Sequence, residues 1–368
     1  MTTVESSEAS AEPAPEAARE PAPAPAQGPS VLPGRAAPRL RSLTEVLAET
    51  DEKMRTGRAA GARVWPTGFD TLDVALTGGF RSGELILLGG PQGLGKTAMA
   101  LQMLRNAVAA NRSAVFFSYE HDAHSVLERL LAIEAGAIAG SDGISLTKIR
   151  QRFEARHSNA HSMHERFANA RGGAEAVVAL EGYGERLHVH TSSGLHTTLD
   201  EIRTAIEQVV SRESQPPLVL VDYLQKVPVA NFSGSEEERV AVVVERLKDL
   251  ALEFQVPVLA IVAAEKGSLV AGKRMRVNDL RGSSALAYES DVILILNDKY
   301  DVVAKHHLVY HLENAERFRQ WVVMSIEKNR SGVDHVSLEF RKRFEQGRFE
   351  PEGRLVEEQL IEERVFRE

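Results

Sequence analysis

Gly90-Pro91-Gln92-Gly93-Leu94-Gly95-Lys96-Thr97 has the spacing GxxxxGK followed by Ser or Thr, and it lies between an apolar run, Leu85 to Leu88, and a segment with helical spacing. Glycines let a backbone turn its N–H groups toward phosphate oxygens, and a helix starting there adds the positive end of its dipole. In that chemistry Lys96 reaches the β- and γ-phosphates of ATP, and the Thr97 hydroxyl ligates Mg²⁺. The alternative is a chance glycine-rich turn, against which sequence and context agree. Magnesium needs a further oxygen donor, and Asp222 ends the apolar run Leu218-Val219-Leu220-Val221. Alone, an acid at a strand end is equally a turn cap. Hydrolysis also needs a group that takes a proton from water. Glu120 follows the strand-like run Ala114 to Ser118, so a parallel sheet brings it to the carboxyl edge that carries the loop. Its competing role is a first-turn acid favoured by the dipole of the next helix.

The elements that must hold these groups follow from the apolar pattern. Strands are expected at Glu84 to Gly89, Ala114 to Ser118, Leu187 to His190, Leu218 to Val221, Val256 to Val262, Val292 to Leu296, Trp321 to Ile326 and Val336 to Phe340. Helices are expected at Thr97 to Val108, Ser125 to Ala135, Leu199 to Val210 and Glu238 to Phe254, with a long polar helical stretch reaching about Gly184. Continuous apolar strands alternating with helices imply an α/β fold with a mostly parallel sheet covered on both faces. No repeat of fixed period is evident, which excludes a solenoid or propeller.

Composition narrows the function classes. The 368 residues are 43% hydrophobic and 26% charged, which excludes a globally disordered or fibrous chain. No apolar run approaches about 18 residues and no basic-then-apolar amino terminus is present, so no membrane partner is expected and the cytoplasm is the compartment expected. Cysteine is absent, which removes disulfides, thiolate metal sites and cysteine nucleophiles. A net charge of −8 excludes a generally basic nucleic-acid coat, although it leaves room for a local basic surface.

Eight of the 15 prolines lie between Pro13 and Pro38. Residues 1–40 are therefore expected to be a disordered, stiff spacer, because they hold too little apolar surface to offset their ordering entropy. Residues 41–60 read as a short amphipathic helix on Leu43, Val46, Leu47 and Met54, capped by Ser42 and stopped at Gly57. Its apolar face packs either on its own domain or on a neighbouring subunit. A main domain is expected over 61–350, followed by an acidic tail over 351–368.

Thr67-Gly68-Phe69 with Leu72-Asp73, Gly78-Gly79-Phe80, the phosphate loop, Phe117-Ser118-Tyr119-Glu120, Asp222-Tyr223-Leu224-Gln225, Leu247-Lys248 and Lys328-Asn329-Arg330 occur in this order. Over about residues 40–350 that order resembles the carboxy-terminal ATPase domain of DnaB-type hexameric replicative helicases. The resemblance implies a RecA-like P-loop core, a homo-oligomeric and hexameric ring, ATP and Mg²⁺ as cofactors, and single-stranded DNA in a central channel. It makes the helix at 43–56 a linker helix that docks on the neighbour. It also makes Lys328 and Arg330 a strand-borne pair reaching the adjacent subunit's nucleotide, with Arg330 as arginine finger. On composition alone the pair would be solvated charges on an edge strand.

The sequence departs from that family at three places. Val262-Ala263 stands where a Ser-Gln sensor is usual, Asp279-Leu280-Arg281-Gly282-Ser283-Ser284 replaces a more acidic DNA-contacting segment, and the primase-engaging helical domain gives way to the proline-rich stretch. Primase contact through the usual amino-terminal domain is accordingly not expected. Lys273, Arg274, Arg276 and Arg281 form a basic cluster that would face the channel and contact DNA phosphates; without the resemblance they read as a solvated loop. Two other readings stay open: a nucleotide-gated regulatory or scaffolding ATPase that has lost unwinding, and a RecA-like repair ATPase. His157, His161 and His164 share one helical face, but with no matching acids they read as solvated rather than as a zinc site.

Overall fold

The strands form because their apolar residues alternate between two buried faces. In the computed structural model, which describes residues 40–156, 161–213, 215–265, 273–304, 306–309 and 312–361, Ile86, Leu88, Phe116 and Leu220 join one core. Leu85, Leu87, Val115, Phe117, Val219 and Val221 join the other. The expected disordered segment falls outside the described residues except for Leu40, as do His157 and the last seven residues of the acidic tail.

Chain order begins with helix α1 (Leu43–Arg55), strand β1 (Val64–Trp65), α2 (Asp70–Ala75), β2 (Phe80–Arg81), β3 (Leu85–Gly89), α3 (Lys96–Ala109), β4 (Ala114–Ser118) and α4 (Ala123–Ala139). It continues through α5 (Leu146–Glu154), α6 (Met163–Phe167), α7 (Gly173–Tyr183), β5 (Leu187–Thr191), α8 (Leu199–Arg212), β6 (Leu218–Asp222), α9 (Glu236–Phe254) and β7 (Val258–Ile261). Next come α10 (Ser283–Glu289), β8 (Val292–Asp298), α11 (Lys299–Val302), α12 (His306–Val309), α13 (Leu312–Arg319), β9 (Trp321–Asn329), β10 (Val336–Arg343), β11 (Arg348–Phe349) and β12 (Arg354–Leu355). The main sheet runs β11-β10-β9-β8-β3-β7-β6-β4-β5, parallel from β8 to β5 and antiparallel beyond β8. Helices α3, α4 and α7 cover one face, and α8, α9 and α10 cover the other. This is the expected α/β architecture.

The structure refines three places. The stretch up to Gly184 is helical as expected but not polar throughout: α5, α6 and α7 bury Ile149, Phe167, Val177, Leu180 and Tyr183. The Arg105 guanidinium holds Glu134 at 2.6 Å, and the Tyr183 hydroxyl donates to the same carboxylate at 2.6 Å. Within the acidic tail, residues 351–361 are tied to the domain: β12 pairs with β10, and Glu358 joins Glu339 around Lys299, which is 1% exposed. A buried ammonium requires such compensation, and the tail supplies half of it. Helices α11 and α12, of four residues each, are too short to show a period, and α13 is half charged, so the sequence does not announce them.

The helix expected at 41–60 forms as α1, with a capping box between Ser42 and Glu45. Among the described residues nothing buries it: Leu43, Val46, Leu47 and Met54 stay exposed.

Candidate functional site

Strand β3 delivers the glycine loop to the carboxyl edge of the sheet, and α3 starts at Lys96. Gly95 is the cap of α3 and provides no side-chain hydrogen bond, so the first-turn N–H groups keep their donor capacity for an anion. Gly90 has φ +149°, and a Cβ there would stand 2.7 Å from the Leu296 carbonyl oxygen. Gly95 has φ +83°, and a Cβ there would stand 3.0 Å from both Phe344 and Phe349. Neither position admits a side chain without a shift. Pro91, Gln92, Gly93 and Leu94 complete the turn, with nothing within 4 Å of a Cβ placed on Gly93.

Lys96 Nζ donates to the carbonyls of Gly90 at 2.8 Å and Pro91 at 2.9 Å. Burial pulls its ammonium below the usual value, opposed by the charges of Asp222 and Glu120. The Thr97 hydroxyl donates to Asp222 Oδ2 at 2.8 Å. Asp222 is 1% exposed, and burial pushes its carboxyl up to about 6, with the Thr97 hydrogen bond opposing and Glu120 adding. Ser118 pairs with Asp222 across β4 and β6, and Tyr119 N–H donates to the Asp222 carbonyl at 2.8 Å. Glu120 therefore emerges next to Asp222, exposed and within electrostatic reach of Lys96.

Arg129 is the residue that sequence reasoning missed. It projects from α4, its Nε is buried without a hydrogen-bond partner, and its charge acts on Asp222. Burial and then the neighbouring Arg150 lower its pKa, while Asp222 opposes them. No motif marks it; a basic residue about two turns into the helix after Glu120 is the only available signal. The donor set is hard oxygen from Thr97 and Asp222 beside open N–H groups and two cations, which fits a magnesium nucleotide whose phosphates complete the coordination. Among the described residues no cluster of three or more His, Asp or Glu could hold a metal by itself. His161 and His164 pair with Glu165 and Glu181.

Lys328 and Arg330 lie at the opposite edge. Lys328 Nζ donates to the carbonyls of Ala287, at 2.6 Å, and of Ser290 at the end of α10. Arg330 donates to the Tyr288 carbonyl at 2.7 Å and to Asp291 Oδ1 at 3.2 Å. Simple alternation does not place them there. Ile326 pairs with Leu294 and Lys328 with Ile293, so Glu327 is an extra residue, and the bulge turns Lys328 away from the face that carries Ile326. Asp291 also receives the Leu85 N–H, at the start of β3. The five residues of β3 separate that point from the loop by about 16 Å, at about 3.3 Å per residue.

The basic cluster divides. Lys273, Arg276 and Arg281 are partly exposed and ion-paired with Asp279, Glu327 and Glu236. Arg274 is 7% exposed and donates to Ser325 at 2.7 Å and Ser337 at 2.8 Å. Where the Ser-Gln sensor is absent, Val262 is buried, and the Ala263 N–H donates to Gln225 Oε1 at 3.1 Å. Gln225 Nε2 in turn donates to the Arg281 carbonyl at 3.2 Å.

Among known proteins, the replicative DNA helicase DnaB of Treponema pallidum is 28% identical over 280 residues, 76% of this chain and 54% of the relative. The replicative DNA helicase DnaB of Rhodothermus marinus is 30% identical over 269 residues, 70% of this chain and 25% of the relative. The chain thus spans about half or less of the length of these curated relatives. A solved structure described as an ATPase domain superposes with TM-score 0.67 at 21% identity, covering 84% of this chain and 99% of that one. A DnaB-like replicative helicase, whose structure was reported together with its interactions with primase, gives TM-score 0.66 at 22% identity and covers 84% of this chain and 68% of that one. Both superpositions support the RecA-like fold. The family model described as the DnaB-like helicase C terminal domain matches residues 65–350. That span holds the loop, Glu120, Asp222 and Arg330 together, and by it the chain belongs to the DnaB-like helicase C terminal domain family.

Proposed function

We propose that the chain is an ATP-hydrolysing, ring-forming motor that moves on single-stranded DNA and separates strands. The observation that carries this reading is the division of the site between two edges. The loop, Asp222 and Glu120 stand at one edge, and Arg330 stands at the other, beside the start of a strand about 16 Å long that ends in the loop. Arg330 cannot reach its own subunit's nucleotide, so its charge is useful only to a nucleotide presented by a second copy.

Lys96 and the open N–H groups of α3 bind the triphosphate, with Arg129 as a further cation. The chemistry expected of bound Mg²⁺ is charge neutralisation on the β- and γ-phosphates, with Thr97 and Asp222 as the protein's oxygen donors. Glu120 orients water and accepts its proton. Arg330 of the adjacent copy stabilises charge on the transferred phosphoryl group, and Lys328 accompanies it. The exposed apolar face of α1 has no partner among the described residues, which supports docking on the neighbour. Lys273, Arg276 and Arg281 are the proposed DNA contacts, and buried Arg274 braces their segment against β9 and β10. No helix among the described residues is long and apolar enough to cross a membrane.

A strand-displacement assay run beside a DNA-stimulated ATPase assay tests this reading. Single-stranded DNA should raise turnover and forked duplex should be separated. ATP hydrolysis indifferent to DNA, with no displacement, would overturn it.

A further inference from the structure

The finger is not free at rest, and its partner has a second cation in reserve. Asp291 is 6% exposed. Its Oδ2 accepts Lys248 Nζ at 2.6 Å and the Leu85 N–H at 2.8 Å, while its Oδ1 accepts Arg330 Nη1 at 3.2 Å. Lys248 is also anchored to the Gly83 carbonyl at 2.8 Å. The two cations differ in kind. The Lys248 side chain is 16% exposed, with the short contact, whereas the Arg330 side chain is 50% exposed, with the long one. The Arg330 N–H further donates to the Asp291 carbonyl at 3.0 Å, which fixes the backbone, while the half-exposed guanidinium is held by Asp291 and by the Tyr288 carbonyl at 2.7 Å, the two contacts it must break to swing.

We infer that Asp291 parks Arg330 and that Lys248 is the positioning residue that lets it leave. A buried carboxylate stripped of its ion-paired cation is costly, so without Lys248 the Asp291 carboxylate would hold the finger in place, Lys328 acting on it through space without an ion pair. With Lys248 already bound, Asp291 stays compensated when Arg330 turns toward a neighbour's nucleotide. Lys248 touches no nucleotide in this scheme; it acts through Asp291. The inference rests on the proposed trans role of Arg330.

The test compares steady-state ATP turnover and nucleotide affinity of the full chain carrying Lys248→Met, Lys248→Arg, Asp291→Asn and the double variant Lys248→Met/Asp291→Asn. Lys248→Met should lower kcat at least 10-fold, with the dissociation constant of a fluorescent ATP analogue unchanged. Lys248→Arg, which keeps the charge, should stay within about 2-fold of the parent. Asparagine can still accept the Leu85 N–H but no longer holds a guanidinium by charge, so the double variant should recover most of the lost kcat. A purely structural role predicts the opposite, a double variant at least as impaired as Lys248→Met. That result, or Lys248→Met with parental kcat, would overturn the inference. Folding is followed by thermal melting, and if the double variant does not fold, the contrast between Lys248→Arg and Lys248→Met decides. Arg330→Ala in the same assay separates the two levels: if it turns over like the parent, the trans role itself is wrong, whereas if it is dead and Lys248→Met is unaffected, only the parking scheme is.

Discussion

The two ends of β3 are built on different principles. At its carboxyl end, Gly90 to Thr97 form a site from contiguous residues, and Asp222 and Glu120 arrive on strands two and three places away along the sheet. At its amino end, Lys328 and Arg330 are gathered by a bulge at Glu327 and by the carbonyls at the end of α10. The first end has open N–H groups, two cations and the Glu120 carboxylate around one loop. The second offers a half-exposed cation held by an acid. A sheet with the glycine loop at one edge and Arg330 at the other suits the proposed arrangement, in which Arg330 of one copy meets the loop of the next.

The widest contrast should come from Lys96→Ala. Its hydrogen bonds go only to loop carbonyls, so the fold should survive while turnover becomes undetectable; kinetics beside a thermal melt would reveal either failure. Arg330→Ala strikes the other edge and should cost about 10³-fold in turnover, the range of an arginine finger, with nucleotide binding in equilibrium titration nearly unchanged. A large loss of affinity instead would place Arg330 on its own subunit's nucleotide and erase the distinction between the edges. Glu120→Gln should lose at least about 10²-fold in turnover and keep ATP binding, since an amide orients water but takes no proton from it. Normal hydrolysis there would move the base elsewhere. The smallest effect is expected from Leu47→Asp on α1, which should raise the protein concentration needed for assembly several-fold, read by light scattering, without altering the melting of the subunit.

The cradle was legible because its chemistry needs residues adjacent in sequence: the strand, the glycines, Lys96 and Thr97 cannot be separated. Asp222 and Glu120 were legible because a parallel sheet brings strand ends to one edge. The helix at 43–55 was legible from spacing and Ser42. By contrast, Arg129 carries no motif and acquires meaning only when α4 lies over Asp222. The four basic residues near 275 look alike in sequence, yet Arg274 turns inward to Ser325 and Ser337 while its neighbours stay at the surface. The bulge at Glu327 is a register event that no apolar period reports, and the pinned segment after residue 351 depends on a buried Lys299 that composition would have left in water.

Arg330→Ala and Lys96→Ala should each be inactive alone, for reasons located at opposite ends of β3. If catalysis joins two copies, mixing the two variants creates some interfaces where an intact cradle meets an intact finger. The measurement that bears most directly on the central claim is therefore ATP turnover across mixing ratios at fixed total protein. Activity should rise from near zero at either pure variant to a maximum at intermediate ratios. A flat, inactive profile from subunits shown by light scattering to co-assemble would contradict it, as would a parent protein that is fully active as a monomer.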